Sequence, residues 1–166
     1  MRATRTVRLS AYKTAQHYAP EKPRVATHDN QPEMRIGSIL TKYKLRTFNQ
    51  QPVDVYTATG KVTLYPDHLA VRKKGTPNIV AIYLHGVKWH RGKERRMSEH
   101  RAVLEAAKNH VLEIAFGSTN SERFWEQVEE VIRRVCVEGE NIKFAGTIED
   151  LMSLSFLEGE QTVIIK

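Results

Sequence analysis

Polar and apolar residues alternate with a period of two through the middle of the chain, which predicts β-strands whose side chains point to opposite faces. Turn-forming residues separate the runs at Thr59-Gly60, Pro66-Asp67 and Lys73-Lys74-Gly75. The predicted strands cover residues 53–58, 61–65, 68–72, 78–84 and, after Gly86, 87–90. Residues 79–84 are apolar without a break, so we expect both faces of that strand to be covered. Several short strands at this spacing predict a small antiparallel barrel or sandwich rather than a parallel βαβ fold.

Two segments show helical spacing instead. Ser98 is a suitable N-cap for a helix that reaches Asn109. Ser121 can cap a second helix, whose apolar stripe comprises Phe124, Trp125, Val128, Val131, Ile132 and Val135. On its outer face, Glu129–Arg133 and Glu130–Arg134 have the i,i+4 spacing of favourable ion pairs. Burial of the stripe must hold this helix, because a helix of this length is marginal alone in water.

The two ends of the chain have different patterns. Residues 3–11 alternate and predict a short strand or an arm that orders against a partner, whereas the proline-containing residues 15–34 predict a loop or disordered linker. Lys42, Lys44 and Arg46 also alternate, so on a strand they would share one face. The end of the chain predicts a strand over residues 142–145, a Thr147-capped helix through Phe156 and a last strand over 162–165. This divides the chain into a basic arm and linker (1–50), a central β domain with its closing helix (51–137) and an acidic β-α-β tail (138–166).

Strands and turns followed by one amphipathic helix resemble the pleckstrin-homology-like domains of bacteria. The resemblance rests on residues 60–69 and 71–75 as first hairpins, and on Phe116-Gly117-Ser118 leading into Glu122-Arg123-Phe124-Trp125 as final strand and closing helix. It covers about residues 53–137 and implies an α+β fold, a small antiparallel β barrel or sandwich closed by a C-terminal helix. The helix after Ser98 and the tail after Val137 depart from that pattern and leave open another sheet-and-helix fold, such as that of Whirly-type single-strand binders. Members of the family bind lipids, peptides or proteins, and few are enzymes.

Composition and charge narrow the class of protein. The chain has 166 residues, 40% of them hydrophobic, and no apolar run approaches the length of a membrane span. We therefore expect a soluble, cytoplasmic protein with no integral membrane contact. The net charge of +7 is uneven: residues 1–50 carry a surplus of +7 and residues 51–120 of +5, whereas residues 121–166 carry −5. A basic front attracts phosphate-rich polymers, because neutralised phosphates release their counterions.

Catalytic motifs are missing from the sequence. The seven histidines show no metal-ligand spacing, which predicts surface or turn positions for them. Glu129 and Glu130 are paired acids, but we expect them on the solvent side of a helix rather than in a cleft. The single cysteine, Cys136, is predicted to be a buried structural thiol. We therefore expect no enzyme activity, no cofactor and no metal.

The basic turns carry the functional prediction. Cations that follow a nucleic-acid backbone, with aromatic side chains among them, are typical of proteins that hold single strands. The candidate binding residues are Lys42, Lys44, Arg46, Arg72, Lys73, Lys74, Lys88, Trp89, Arg91, Lys93, Arg95 and Arg96. The expected partner is single-stranded RNA or DNA.

Two alternatives stay open from the sequence. The first is a protein-interaction module, an adaptor or homo-oligomer in which a basic front meets an acidic tail, as would suit a phage accessory protein. The second is a membrane surface, because the same cations could take a phosphoinositide headgroup.

Overall fold

A computed structural model describes residues 5–8, 31–48, 52–58, 60–87, 93–117, 121–156 and 161–166, with backbone only for 5–8, 94 and 95. Across these residues the chain forms four helices and nine strands. The helices are α1 (Gln31–Lys42), α2 (Glu94–Ala106), α3 (Glu122–Cys136) and α4 (Ile148–Ser153). The strands are β1 (Arg5–Arg8), β2 (Arg46–Thr47), β3 (Val53–Thr57), β4 (Gly60–Leu64), β5 (His68–Val71), β6 (Ile79–Gly86), β7 (His110–Phe116), β8 (Phe144–Gly146) and β9 (Thr162–Ile164).

The strands form two sheets. The larger sheet has six strands in the order β2-β5-β6-β7-β8-β9, antiparallel from β2 to β6 and parallel from β6 to β9. The smaller sheet has the order β1-β3-β4, in which β1 runs parallel and β4 antiparallel to β3. Over the described residues these are two separate sheets and no closed barrel.

Each face of the six-stranded sheet is covered. One face packs against α1 and α3 through a cluster that includes Ile36, Leu40, Val128 and Ile132. The opposite face packs against α2 and the three-stranded sheet. A third cluster, which includes Leu151, Leu154 and Phe156, joins α4 to the same face. Strands β6 and β7 are therefore buried on both sides, as parallel strands usually are.

The α+β class is confirmed, and so is the prediction that β6 is covered on both faces. The prediction of antiparallel pairing throughout is wrong for β6 to β9, because α2 and α3 cross over between parallel neighbours. Gly86 is the last residue of β6, and Val87, which was predicted to resume the strand, is not part of it. The expected continuation over residues 88–90 lies outside the described residues.

Helix α1 corrects two predictions near the start of the chain. Residues 31–34 belong to this helix rather than to a linker, because Pro32 is tolerated in a first helical turn and Ile36, Ile39 and Leu40 supply a buried stripe. Residues 15–30 lie outside the description. The three alternating cations do not share a strand face: Lys42 ends α1, Lys44 has a φ of 57° and Arg46 begins β2.

The two predicted N-caps have different outcomes. Helix α2 begins at Glu94, so Ser98 lies inside it and does not cap it. Ser121 does cap α3, since its hydroxyl accepts the amide hydrogen of Phe124. The apolar stripe of α3 is buried as predicted, and each such side chain contributes roughly 1.5–3 kcal/mol.

The predicted i,i+4 ion pairs on α3 do not form. Arg133 binds Glu130 and Glu138, Arg134 binds Glu140, and Glu129 binds Lys42 of α1. Three of these pairs therefore link α3 to other segments.

The last part of the chain extends the large sheet. Strand β8 pairs with β7 and β9 pairs with β8, and Thr147 caps α4 as predicted. Leu151 and Leu154 are fully buried.

Candidate nucleic-acid interface

Four predicted binding residues lie at one corner of the six-stranded sheet, which we call the basic corner: Lys44, Arg46, Lys73 and Lys74. The corner forms because β2 runs antiparallel to β5, which places Arg46 opposite Val71 and the start of β2 beside the end of β5. The amide of Lys73 then donates to the carbonyl oxygen of Cys136 at 2.7 Å, against the end of α3. All four side chains are exposed.

The basic corner is not neutralised by neighbouring acids. Gly139 packs on the Lys74 backbone, and a Cβ at this glycine would lie 2.9 Å from the Lys74 carbonyl carbon. The carboxylates on either side of it are occupied, since Glu138 lies 3.1 Å from Arg133 and Glu140 lies 2.8 Å from Arg134. Within the described part of the chain, the four corner cations have no acidic partner.

Lys42, another predicted binding residue, forms an ion pair between two helices instead of joining the basic corner. Lys42 lies 2.7 Å from Glu129, and this hydrogen bond raises the pKa of Lys42 and lowers that of Glu129. Glu129 also accepts a hydrogen bond from Tyr43, so it is only partly exposed rather than fully on the solvent side. The ammonium group of Lys42 is therefore held between α1 and α3.

Arg72 corrects the predicted binding surface, because it is only 3% exposed. Its guanidinium donates to the carbonyl oxygens of Pro77, Val135 and Glu140 and to the side chain of Asn141. Burial lowers the pKa of this guanidinium below its ordinary value. Gly75 makes room for it, with a φ of 105° and a hypothetical Cβ only 2.7 Å from Arg72 Cζ. Arg72 thus joins the β5–β6 turn to the end of α3 and offers nothing to a ligand.

Two further predicted residues, Lys93 and Arg96, belong to the other end of the sheet. Lys93 is exposed and precedes α2, while Arg96 is half-buried within it. The N-terminal part of α2 packs near the end of β6, where Met97 joins Val87 and Ala115. The basic corner lies where β6 begins, roughly 23 Å away along the eight-residue strand. Lys88, Trp89 and Arg91, and the side chain of Arg95, lie outside the description. The structure therefore divides the predicted surface into two groups.

A buried polar group on the α2 side of the sheet was missed by the sequence analysis. Glu113 is 1% exposed; its Oε1 lies 3.0 Å from His85 Nε2, and its Oε2 accepts a hydrogen bond of 3.0 Å from Arg101. Phe144 lies under the Arg101 guanidinium, and Tyr83 stacks on His85. Both carboxylate oxygens are occupied, so the group orients strands β6 and β7 against α2. A signal was present in the sequence: Glu113 interrupts an apolar run, where a buried acid needs partners.

The four histidines in the described part of the chain differ from the prediction of surface or turn positions. His68, His85, His100 and His110 are all buried. Burial lowers the pKa of His68 and lowers that of His110 to about 4. No three His, Cys, Asp or Glu side chains among the described residues are placed to hold a metal ion.

Cys136 is buried as predicted, at the end of α3. Burial raises its pKa to about 12, and the nearby Arg72 charge opposes this only in part. A thiol in this state is protonated at neutral pH and is therefore a poor nucleophile.

A groove of about 400 Å³ runs between α1 and α3. Trp125 and Ile39 lie along it, the exposed Met34 lies at its side, and the Arg35–Glu122 ion pair closes one part. The cations Arg35 and Lys42 are already paired here, so the groove offers less positive charge than the basic corner.

No helix among the described residues has the length and apolar character needed to cross a membrane. Comparison with known proteins found no matching family model, no matching curated protein and no matching solved structure. The pleckstrin-homology-like resemblance therefore stays a prediction.

Proposed function

We propose that this protein binds single-stranded nucleic acid, without catalysing a reaction, through the basic corner. The observation that carries the proposal is that Lys44, Arg46, Lys73 and Lys74 are exposed together, while the nearby carboxylates Glu138 and Glu140 are held by arginines. Unpaired cations at one place release counterions when phosphates bind. The surplus of positive charge over residues 1–120 adds long-range attraction for the same polymer.

The test compares two double variants that each remove two positive charges. K73A/K74A removes half of the basic corner, whereas K108A/R123A removes two exposed cations elsewhere and is the control. Binding of a fluorescently labelled single-stranded oligonucleotide is measured by anisotropy over a salt series.

We expect K73A/K74A to weaken binding roughly tenfold and to lower the slope of log K against log salt by about 1.4, because about 0.7 counterion is released per contact with a single strand. The control should bind like the wild type. Equal losses of affinity in both double variants would show that binding depends only on the net charge of the protein. Unchanged affinity in K73A/K74A would show that the basic corner is not part of the interface.

A second candidate is self-association, which the sequence left open as a protein-interaction module. Ile148, Met152 and Ile164 are three of the four large hydrophobic side chains exposed in the described residues, and all three lie on α4 or β9. Gly146 and Ile164 are in register, and Gly146 faces Leu151, so Ile164 lies on the α4 side of the sheet. Because β9 is an edge strand, a second copy could extend the sheet and cover these side chains. The pleckstrin-homology-like resemblance that this candidate would share rests on the pattern of the sequence alone.

A further inference from the structure

The outer face of the three-stranded sheet carries a different kind of side chain from the basic corner. Val53 and Val55 of β3 are fully buried against the large sheet. Because side chains alternate along a strand, Asp54 and Tyr56 lie on the opposite, outer face. Both are partly exposed.

Tyr56 has a cation position in register on each neighbouring strand. On β4 its partner is Lys61, which is exposed, and on β1 its partner is Arg8. Residues directly opposite each other on neighbouring antiparallel strands have Cβ atoms about 5 Å apart. The aromatic ring therefore lies within reach of the Lys61 ammonium group.

The ring of Tyr56 is also uncommitted. Tyr43 hydrogen-bonds Glu129 and has Lys42 over its ring, and Tyr83 stacks on His85. In the described part of the chain, Tyr56 makes no such hydrogen bond, stacking contact or cation–π contact. A partly exposed aromatic ring beside a cation is the arrangement on which an unpaired base can stack while its phosphate meets the charge.

Asp54 adds an acceptor on the same face. Its Oδ1 accepts a hydrogen bond of 2.7 Å from Thr63, which holds the carboxylate in place. The other oxygen can accept from an amino group on a base edge, as carboxylates do with cytosine. A carboxylate here disfavours bare phosphate and favours a base above it.

We infer that the outer face of the three-stranded sheet is a base-stacking site for single-stranded nucleic acid, in which one unpaired base lies on Tyr56 and its phosphates lie beside Lys61. This inference rests on the proposed function, since it assumes the same polymer as ligand. It adds a site that distinguishes single strands from duplex, because the bases of a duplex are stacked on each other and unavailable.

The test measures binding of single-stranded and duplex oligonucleotides to the wild type, Tyr56→Ala and Tyr56→Phe. We expect Tyr56→Ala to weaken single-strand binding about tenfold and to leave duplex binding unchanged, because it removes the stacking surface. Tyr56→Phe keeps a ring and should bind like the wild type. Lys61→Ala should weaken single-strand binding more than Lys108→Ala, which serves as its charge-matched control.

A second measurement uses only the wild-type protein, in case Tyr56→Ala does not fold. A single strand containing 5-iodouracil is photocrosslinked, and the tryptic peptide of residues 47–61 should carry the adduct at Tyr56. Adducts found only elsewhere would overturn the inference, as would equal binding by Tyr56→Ala and the wild type or equal losses for single strand and duplex.

The two proposals fail differently. If Tyr56→Ala binds normally but K73A/K74A does not, the basic corner stands and the stacking site falls. If the reverse holds, the stacking site stands and the corner falls. Absence of any oligonucleotide binding by the wild type would overturn both.

Discussion

His110 opens β7 with 5% of its surface exposed, and its Nε2 lies 2.7 Å from the carbonyl oxygen of Ile142. Burial lowers the pKa of His110 from 6.5 to about 4, and the charges of Arg72 and Lys143 act in the same direction. Between these two values the unfolded chain binds a proton that the folded chain does not. The stabilisation from the neutral imidazole is therefore fully present above about pH 6.5 and is lost as the pH falls towards 4.

From pH 7.5 to pH 5 this group should lower the free energy of unfolding by about 2 kcal/mol. His110→Gln keeps a hydrogen-bond donor for Ile142 but does not titrate. Between pH 7.5 and pH 5 its free energy of unfolding should therefore fall by about 2 kcal/mol less than that of the wild type. Urea unfolding at the two pH values measures the difference. If the stability of the variant and of the wild type changed equally with pH, the assignment to His110 would be contradicted. Stability should still decrease with falling pH in both proteins, because the pKa of His68 is also lowered.

At the level of single residues, buried polar side chains were the hardest to predict. The sequence placed Arg72 on a binding surface because Lys73 and Lys74 follow it. Of these three residues only Arg72 points inward, because the carbonyl oxygens of Pro77, Val135 and Glu140 converge on its guanidinium group. Convergence of this kind depends on segments more than 60 residues apart, so no local pattern reveals it.

At the level of elements, the two predicted caps make a matched pair. Ser121 Oγ accepts the Phe124 amide hydrogen at the start of α3, whereas Ser98 lies exposed inside α2, with Arg101 Nη2 at 3.5 Å from its hydroxyl. Ser121→Ala should therefore cost about 1 kcal/mol of stability. Ser98→Ala should cost nothing or stabilise by up to about 0.5 kcal/mol, because alanine has the higher helix propensity. Thermal or urea unfolding of both variants checks this, and a larger loss at Ser98 would reverse the assignment of the caps.

The strength of each local pattern explains which elements could be predicted. Helix α3 followed from six stripe positions, and the β3–β4 hairpin followed from strict alternation. Helix α1 was missed because Pro32 and the polar residues beside it suggested a linker, although Ile36, Leu40 and Tyr43 have helical spacing. The parallel pairing of β6 was missed because an uninterrupted apolar strand is compatible with several sheet arrangements.

At the level of the whole molecule, the strands of the predicted tail are part of the main sheet. Removing residues 138–166 would expose the edge of β7 and take Leu151 and Leu154 out of the core, so such a deletion would damage the fold itself. A test of self-association therefore needs point substitutions.

Met152 and Met34 provide that test, since they are 63% and 59% exposed on different helices. If copies associate across β9 and α4, Met152→Lys should weaken the dimer at least tenfold, because a charge would enter the contact. Met34→Lys should leave it unchanged. Sedimentation velocity over a concentration series measures this, and a wild type that is monomeric throughout would exclude this interface.

The sequence could predict which cations the candidate interface contains, but not which of them lie close together. The sequence identified Lys73 and Lys74 as exposed cations, but their proximity to Lys44 and Arg46 depends on the pairing of β2 with β5. Separation of this group from Lys93 depends on the direction in which β6 runs. Tyr56 gave no signal, because one aromatic residue on an alternating strand is usual in any sheet.

The parallel half of the large sheet also bears on how fast the chain folds. Strands β6, β7 and β8 are each joined by a helical crossover rather than a hairpin, and β1 pairs with β3 across more than 40 residues. Contacts between distant residues form only after long loops have closed, which slows the search for the native state. We therefore expect refolding on the millisecond-to-second scale of sheet proteins rather than the microsecond scale of helical bundles, with the β3–β4 hairpin as an early local structure.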